Sequence, residues 1–184
     1  DVSVDLIPDC DKARNLKITD VTAESATLSW TVTGSQTDFN VYYKKTSDMN
    51  YSEATADGLT ASLTDLEAST EYEVYVKNTC DDGTTKISET IKFKTPCAAI
   101  TIDGENNYVQ DFESYNNLAR VDCWEVVAEA SSYPIKVITE SKFIHSGSKA
   151  LKITSNEATP NSIISLPQFT NDLSTLRVQF YGKS

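Results

Sequence analysis

Histidine is nearly absent from this chain. His145 is the only one in 184 residues, and that scarcity removes whole classes of chemistry. A Ser-His-Asp triad or a Cys-His pair needs an imidazole beside its nucleophile. His145 lies in Ile144-His145-Ser146-Gly147, which reads as an exposed turn before a strand. A tetrahedral zinc site has no support either, because the cysteines at 10, 80, 97 and 123 include no Cys-x-x-Cys pair. There is no His-Glu-x-x-His, no glycine-rich phosphate loop after a strand and no nucleophile elbow, and Gly104-Glu105-Asn106-Asn107 is a plain loop. Paired carboxylates could serve glycoside hydrolysis, but a surface rich in acids offers candidates everywhere and selects none. The chain reads as a non-enzyme.

Positive charge is also scarce, with 16 Lys and Arg against 27 Asp and Glu, a net charge of -11. Binding to a phosphate backbone needs clustered cations that release counterions, so nucleic acid is excluded as a partner and acidic substrates are disfavoured. The acids fall singly or in short pairs such as Asp81-Asp82, the pattern of a solvated face. No apolar run approaches the roughly 20 residues a membrane helix needs. Arg-Gly-Asp is missing, and Asn50-Tyr51-Ser52 is the one glycosylation sequon, meaningful only in a eukaryotic host.

What is present is alternation. Leu16 and Ile18, then Ala26, Leu28 and Trp30, then Phe39, Val41 and Tyr43 repeat with the period of a strand. Weaker strands are expected at residues 51–55 and 60–63, a long one at 71–79 with Tyr72, Val74 and Val76 facing inward, and a last one at 88–94. Turn-rich pieces at 20–25 and 33–36 separate them. Seven short strands with regular turns describe a small Greek-key sandwich. Asn15-Leu16, Ala26-Thr27-Leu28-Ser29-Trp30, Leu66, Thr70-Glu71-Tyr72-Glu73-Val74 and Phe93-Lys94-Thr95-Pro96 together resemble the fibronectin type III family. The resemblance implies a non-catalytic module spanning residues 10–96, after a linker at 1–9, with Tyr72 tying its hydroxyl back to upstream backbone.

From Cys97 onward the strand pattern continues at residues 100–102, 108–112, 124–127, 135–139, 149–153, 162–166 and 176–180. Tyr108-Val109-Gln110-Asp111-Phe112-Glu113-Ser114, Cys123-Trp124, Gly147-Ser148-Lys149-Ala150-Leu151 and Leu176-Arg177-Val178-Gln179-Phe180 resemble the jelly-roll domains of bacterial adhesins, of the cleaved-adhesin, choice-of-anchor and MAM-like kind. The fold class expected is therefore all-β, a type III sandwich followed by a partial jelly roll at 97–184. The latter is short for its family, which leads us to expect either a fragment of a longer protein or self-association through an incomplete sheet.

Within the type III resemblance, Cys10 and Cys80 fall at one pole of the sandwich and are expected to pair. The MAM pattern implies Cys97 with Cys123. Disulfides place the chain outside the cell or on its surface, including an outer-membrane anchor among the options. The adhesin resemblance also implies a structural calcium near Asp111 and Glu113, whose side chains would share one face of a strand while Phe112 takes the other. Tyr42 and Tyr75 are expected outward on neighbouring strands, each with a lysine two residues on (Lys44, Lys77), where the rings could form a platform for sugar. The expected role is surface adhesion to an extracellular protein or glycan, with a carbohydrate-binding or spacer unit of a larger glycan-degrading enzyme as the alternative.

Overall fold

The computed structural model describes residues 10–103, 105, 107–128, 135–153 and 162–181. The expected linker at 1–9 lies outside them. Two compact units divide the chain, Asp1–Ala98 and Ala99–Ser184.

The first unit is a sandwich. β1 (Arg14–Thr19), β2 (Ala26–Thr31) and β5 (Thr60–Leu63) form one antiparallel layer. β4 (Ser52–Asp57), β3 (Asp38–Lys45) and β6 (Glu71–Thr79) form the other. β6 continues onto β7 (Thr85–Ile87) and β8 (Ile91–Lys94). The far end of β4 also pairs with β5, through Ala56 with Ala61 and Asp57 with Thr60, so one hydrogen-bonded path joins both layers. Alternation drives the burial. On β2, Ala26, Leu28 and Trp30 are buried, and on β6, Tyr72, Val74 and Val76 are. These meet Phe39, Val41, Ala61, Leu63 and Leu66 in one core, with Trp30 edge-on to Phe39 at 5.5 Å. Each large aliphatic side chain withdrawn from water stabilises the fold by about 1.5–3 kcal/mol, before the loss of chain entropy is counted.

Two local features fix the frame. The backbone N–H of Glu67 donates to the Tyr72 hydroxyl at 2.8 Å, closing the expected tyrosine corner, and the ring stacks on Phe93 at 5.6 Å. Thr95, almost wholly buried, accepts from Thr70 N and donates to Glu67 O, which pins the end of β8 to the same corner.

Of the expected strand at 88–94, residues 91–94 form β8, while residues 88–90 leave the ladder and the short β7 precedes them. Ser88 N donates to Val76 O, while Val76 N donates to the Ser88 side-chain oxygen instead of a backbone carbonyl. A side chain has taken a ladder position, so the strand splits into β7 and β8 around a break opposite Tyr75 and Val76.

The second unit is also strand-built. β9 (Glu125–Ala128) pairs with β12 (Ile163–Ser165), and β10 (Lys136–Ile138) with β11 (Ala150–Lys152). Val137 bonds on its other side to the backbone of Leu118 and Ala119. Val121, Ile135, Val137 and Ile138 are buried. Residues 100–102 reduce to a single bridge, Ile100 with Phe169. Residues 108–112 and 176–180 are not strands. At 108–112 the reason is local. Phe112 N donates to the Gln110 side chain and Glu113 N to that of Asp111, and Phe112 takes φ 66°, so the amides a ladder needs are engaged within the segment.

Candidate binding face

The register of the β4–β3–β6 layer decides which side chains share its outer surface. Tyr42 lies opposite Tyr75 on β6 and Glu53 on β4, and Lys44 lies opposite Glu73. Because side chains alternate along a strand, Tyr51, Glu53, Asn40, Tyr42, Lys44, Glu73, Tyr75 and Lys77 all belong to the face turned away from the core. The inward partners, Val41, Val74 and Val76, are buried in the sandwich.

On this face the Tyr42 and Tyr75 rings stack, centroids 5.2 Å apart and planes 19° from parallel. Tyr51 meets Tyr75 edge-on at 5.0 Å. The Tyr51 hydroxyl donates to Glu73 Oε1 at 2.6 Å, the same oxygen lies 3.3 Å from Lys44 Nζ, and that ammonium sits 5.1 Å from the centre of the Tyr51 ring. Asn40 donates to Glu53 beside Tyr42. Aromatic contacts of this kind contribute about 0.5–1.5 kcal/mol each beyond area burial, so the cluster is preformed rather than loose.

The electrostatics follow from these contacts. Its hydrogen bond to Glu73 raises the Tyr51 phenol to about 12. The same bond, with Lys44 assisting, holds the Glu73 carboxyl below the usual carboxylate range. Partial desolvation and the Glu53 carboxylate push Tyr42 up. The Tyr42 and Tyr51 hydroxyls therefore stay protonated at neutral pH and are unsuited to act as nucleophiles.

Tyr42 and Tyr75 are brought together as direct cross-strand partners. Their lysines are not neighbours, because the strands are antiparallel: Lys44 falls opposite Glu73 and Lys77 opposite Asn40, at opposite ends of the tyrosine pair. Tyr51 is the member that sequence reasoning missed. It was legible only as the start of a weak edge strand. The available signal was parity, since Tyr51 is two residues from Glu53, while Ala54 and Ala56 pack against the core. The break between β7 and β8 lies opposite Tyr75, so the last strand skips the position beside this ring.

In the second unit, Glu113 does something other than what its motif implied. Its Oε1 accepts from Ser148 N at 2.8 Å and Lys149 N at 2.9 Å, and its Oε2 accepts from the Ser148 hydroxyl. Lys149 Nζ returns two bonds, to Glu113 O and Tyr115 O, both 2.6 Å. The Ser148 hydroxyl and amide, then the Lys149 amide, hold the Glu113 carboxyl below its ordinary value. Gly147 makes the approach feasible: it takes φ 72°, and a Cβ there would lie 2.4 Å from Glu113 Oε1. Asp111 turns its own Oδ1 to Glu113 N. Both oxygens of Glu113 are thus committed to donors, and the pair does not share a strand face, so these two residues do not fit a calcium cradle. His145 stacks on Tyr181 at 4.6 Å.

The Cys10–Cys80 disulfide is present, with Cα atoms 5.8 Å apart. Cys97 and Cys123 are also disulfide-bonded, no cysteine is free, and the expected pairing of these two stands.

The cluster is partly exposed, with Tyr42 and Tyr75 half-buried and Tyr51 exposed at its edge, on the outer face of a β-sandwich. The family model for the fibronectin type III domain matches residues 11–94, and that segment is such a domain. Similar solved structures include one described as a myokine structure, 27% identical over 47% of this chain and 97% of that one, TM-score 0.43. An FN3 domain of human collagen XX is 20% identical over 51% of this chain and all of that one, TM-score 0.43. The FN5 domain of Drosophila Lar is 20% identical over 48% and 98%, TM-score 0.40. No curated protein matches the chain. Type III domains are common extracellular binding or spacer modules and generally non-catalytic, and no enzymatic family was identified. Domain type and disulfides together fit an extracellular location. Among the described residues no helix is long and apolar enough to cross a membrane.

Proposed function

We propose that this chain is a non-catalytic adhesion or binding unit at a cell surface, and that its type III domain meets an extracellular protein or glycan through the outer face of β4, β3 and β6. The observation that carries this reading is the Tyr42, Tyr51 and Tyr75 cluster, preformed on a solvent-facing sheet. Tyrosine offers large rigid contact area with little entropy to lose, which is why it dominates binding surfaces. Of the two ligand classes, a protein is favoured: rings stacked on one another present edges and hydroxyls more than a flat table for a sugar.

The adhesin-like jelly roll proposed for the second unit agrees with that role, because the Glu113 contacts join two of the motifs that carry the resemblance, Asp111-Phe112-Glu113 and Gly147-Ser148-Lys149. A bacterial surface protein held at an outer membrane is the setting this resemblance suggests. The test is a Tyr42→Ala, Tyr75→Ala double variant screened beside the parent on arrays of extracellular matrix proteins and glycans. The variant should keep its fold and lose the signal by tenfold or more, a loss of about 1.4 kcal/mol. Undiminished binding by a folded variant would reject the face, and silence of the parent on both arrays would favour a spacer.

A further inference from the structure

Lys149 is half-buried, and its ammonium is aimed at main chain instead of at solvent. It donates to the carbonyls of Glu113 and Tyr115, both at 2.6 Å. The chain turns at this point, with Phe112 at φ 66° and Tyr115 N donating back to Phe112 O at 3.2 Å, so carbonyls two residues apart reach one nitrogen. Two of the three ammonium protons are thereby used.

The same two segments meet a second time with the polarity reversed, because the Glu113 carboxylate accepts from Ser148 N, Lys149 N and the Ser148 hydroxyl. Hydrogen bonds with one charged member are roughly twice as strong as neutral ones. Lys149 stands directly before β11, so this clasp fixes residues 113–115 to the start of the β10–β11 pair. A calcium ion here would have to collect about six to eight oxygen ligands. Both Glu113 oxygens already have donors, Asp111 Oδ1 accepts from Glu113 N, and the two carbonyls already face a positive charge. An incoming cation would also be repelled by Lys149.

We propose that Lys149 is the built-in cation of the second unit: its ammonium, at the carbonyls of Glu113 and Tyr115, does what the adhesin resemblance assigns to a calcium near Asp111 and Glu113. The turn at 111–115 is then held without a metal ion. The charge is supplied by the chain itself, at a fixed place, and needs no divalent cation from the surroundings. The inference is independent of the tyrosine face, which belongs to the other unit.

Hydrogen exchange of the full chain, read at the Ser148 and Lys149 amides that Glu113 holds, separates the two cations. In the parent, exchange at both amides should be the same in millimolar calcium chloride and in EDTA. Lys149→Met keeps most of the stem and removes the charge, and should quicken exchange at both amides at least about tenfold. Lys149→Arg retains the charge and its N–H donors, so it should stay nearer the parent. Val137, buried in β10, reports whether the unit remains folded. Where Lys149→Met also loses protection at Val137, the unit has unfolded, and the decision rests on whether Lys149→Arg keeps all three amides protected. Calcium that slows exchange at Ser148 and Lys149 in the parent, a Lys149→Met chain as protected as the parent, or Met and Arg variants equally unprotected would each overturn the proposal.

Discussion

Tyr72 shows how much one hydroxyl can organise. It accepts the Glu67 amide across the corner while its ring stays in the core. Tyr72→Phe keeps the ring and strands a partly buried N–H, so unfolding by urea should show a loss of about 1–3 kcal/mol with the slope unchanged. Glu113 makes the complementary case in the second unit. Its folded carboxyl titrates below its ordinary value, so its contribution to stability is complete above the unfolded value of about 4.3 and disappears as pH falls through the lower folded value. Thermal melts between neutral and acid pH should show that decline in the parent and a flatter profile in Glu113→Gln. Gly147→Ala should disturb the same contact at neutral pH, since its Cβ has no room and its φ is left-handed. Calcium added to the parent should leave the melting temperature unchanged, and a rise would mean that the carboxylate exchanges its donors for the ion. The sequence identified both residues as notable. It supplied the role of Tyr72, a consequence of strand and corner, and not that of Glu113, whose partners lie some 35 positions away.

At the scale of elements, the alternating strands of the first unit were legible because burial on one face follows the side-chain period of two. The start of the last strand was not, since Ile91 and Phe93 continue the period while Ser88 breaks the ladder through its hydroxyl. Ser88 is buried and its oxygen is the acceptor that Val76 N uses. Ser88→Ala should therefore leave a buried amide unpaired and cost about 1–3 kcal/mol, measurable by denaturation, with hydrogen exchange at Val76 quickened more than at Val41. A merely irregular strand end would show no such local change. In the second unit, residues 108–112 carry a strand's composition but use Gln110 and Asp111 to bond their own neighbours, which ordinary propensity does not reveal.

For the whole molecule, the Cys10–Cys80 bridge closes a separation of 70 residues. Chain entropy assigns it about 4 kcal/mol, a large share of the stability of an ordinary domain. Cys10→Ser, Cys80→Ser should lower the melting temperature markedly and leave the order of unfolding of the two units to be read by calorimetry. An unchanged melt would show that the N-terminal segment is held by other contacts, such as Gln36 Nε2 donating to Asp11 O and the ion pair of Asp11 with Arg14.

By itself the sequence determined the all-β class, the inward residues of the sandwich and the type III domain. The first two follow from periodicity along the chain, and the third from the resemblance that its motifs carry. Only the tertiary structure decided that Tyr51 joins Tyr42 and Tyr75, that Lys44 and Lys77 part company, and that Glu113 meets Ser148 and Lys149. Those facts depend on register between strands and on contacts between distant loops, which is where three-dimensional packing, and no local preference, sets the answer.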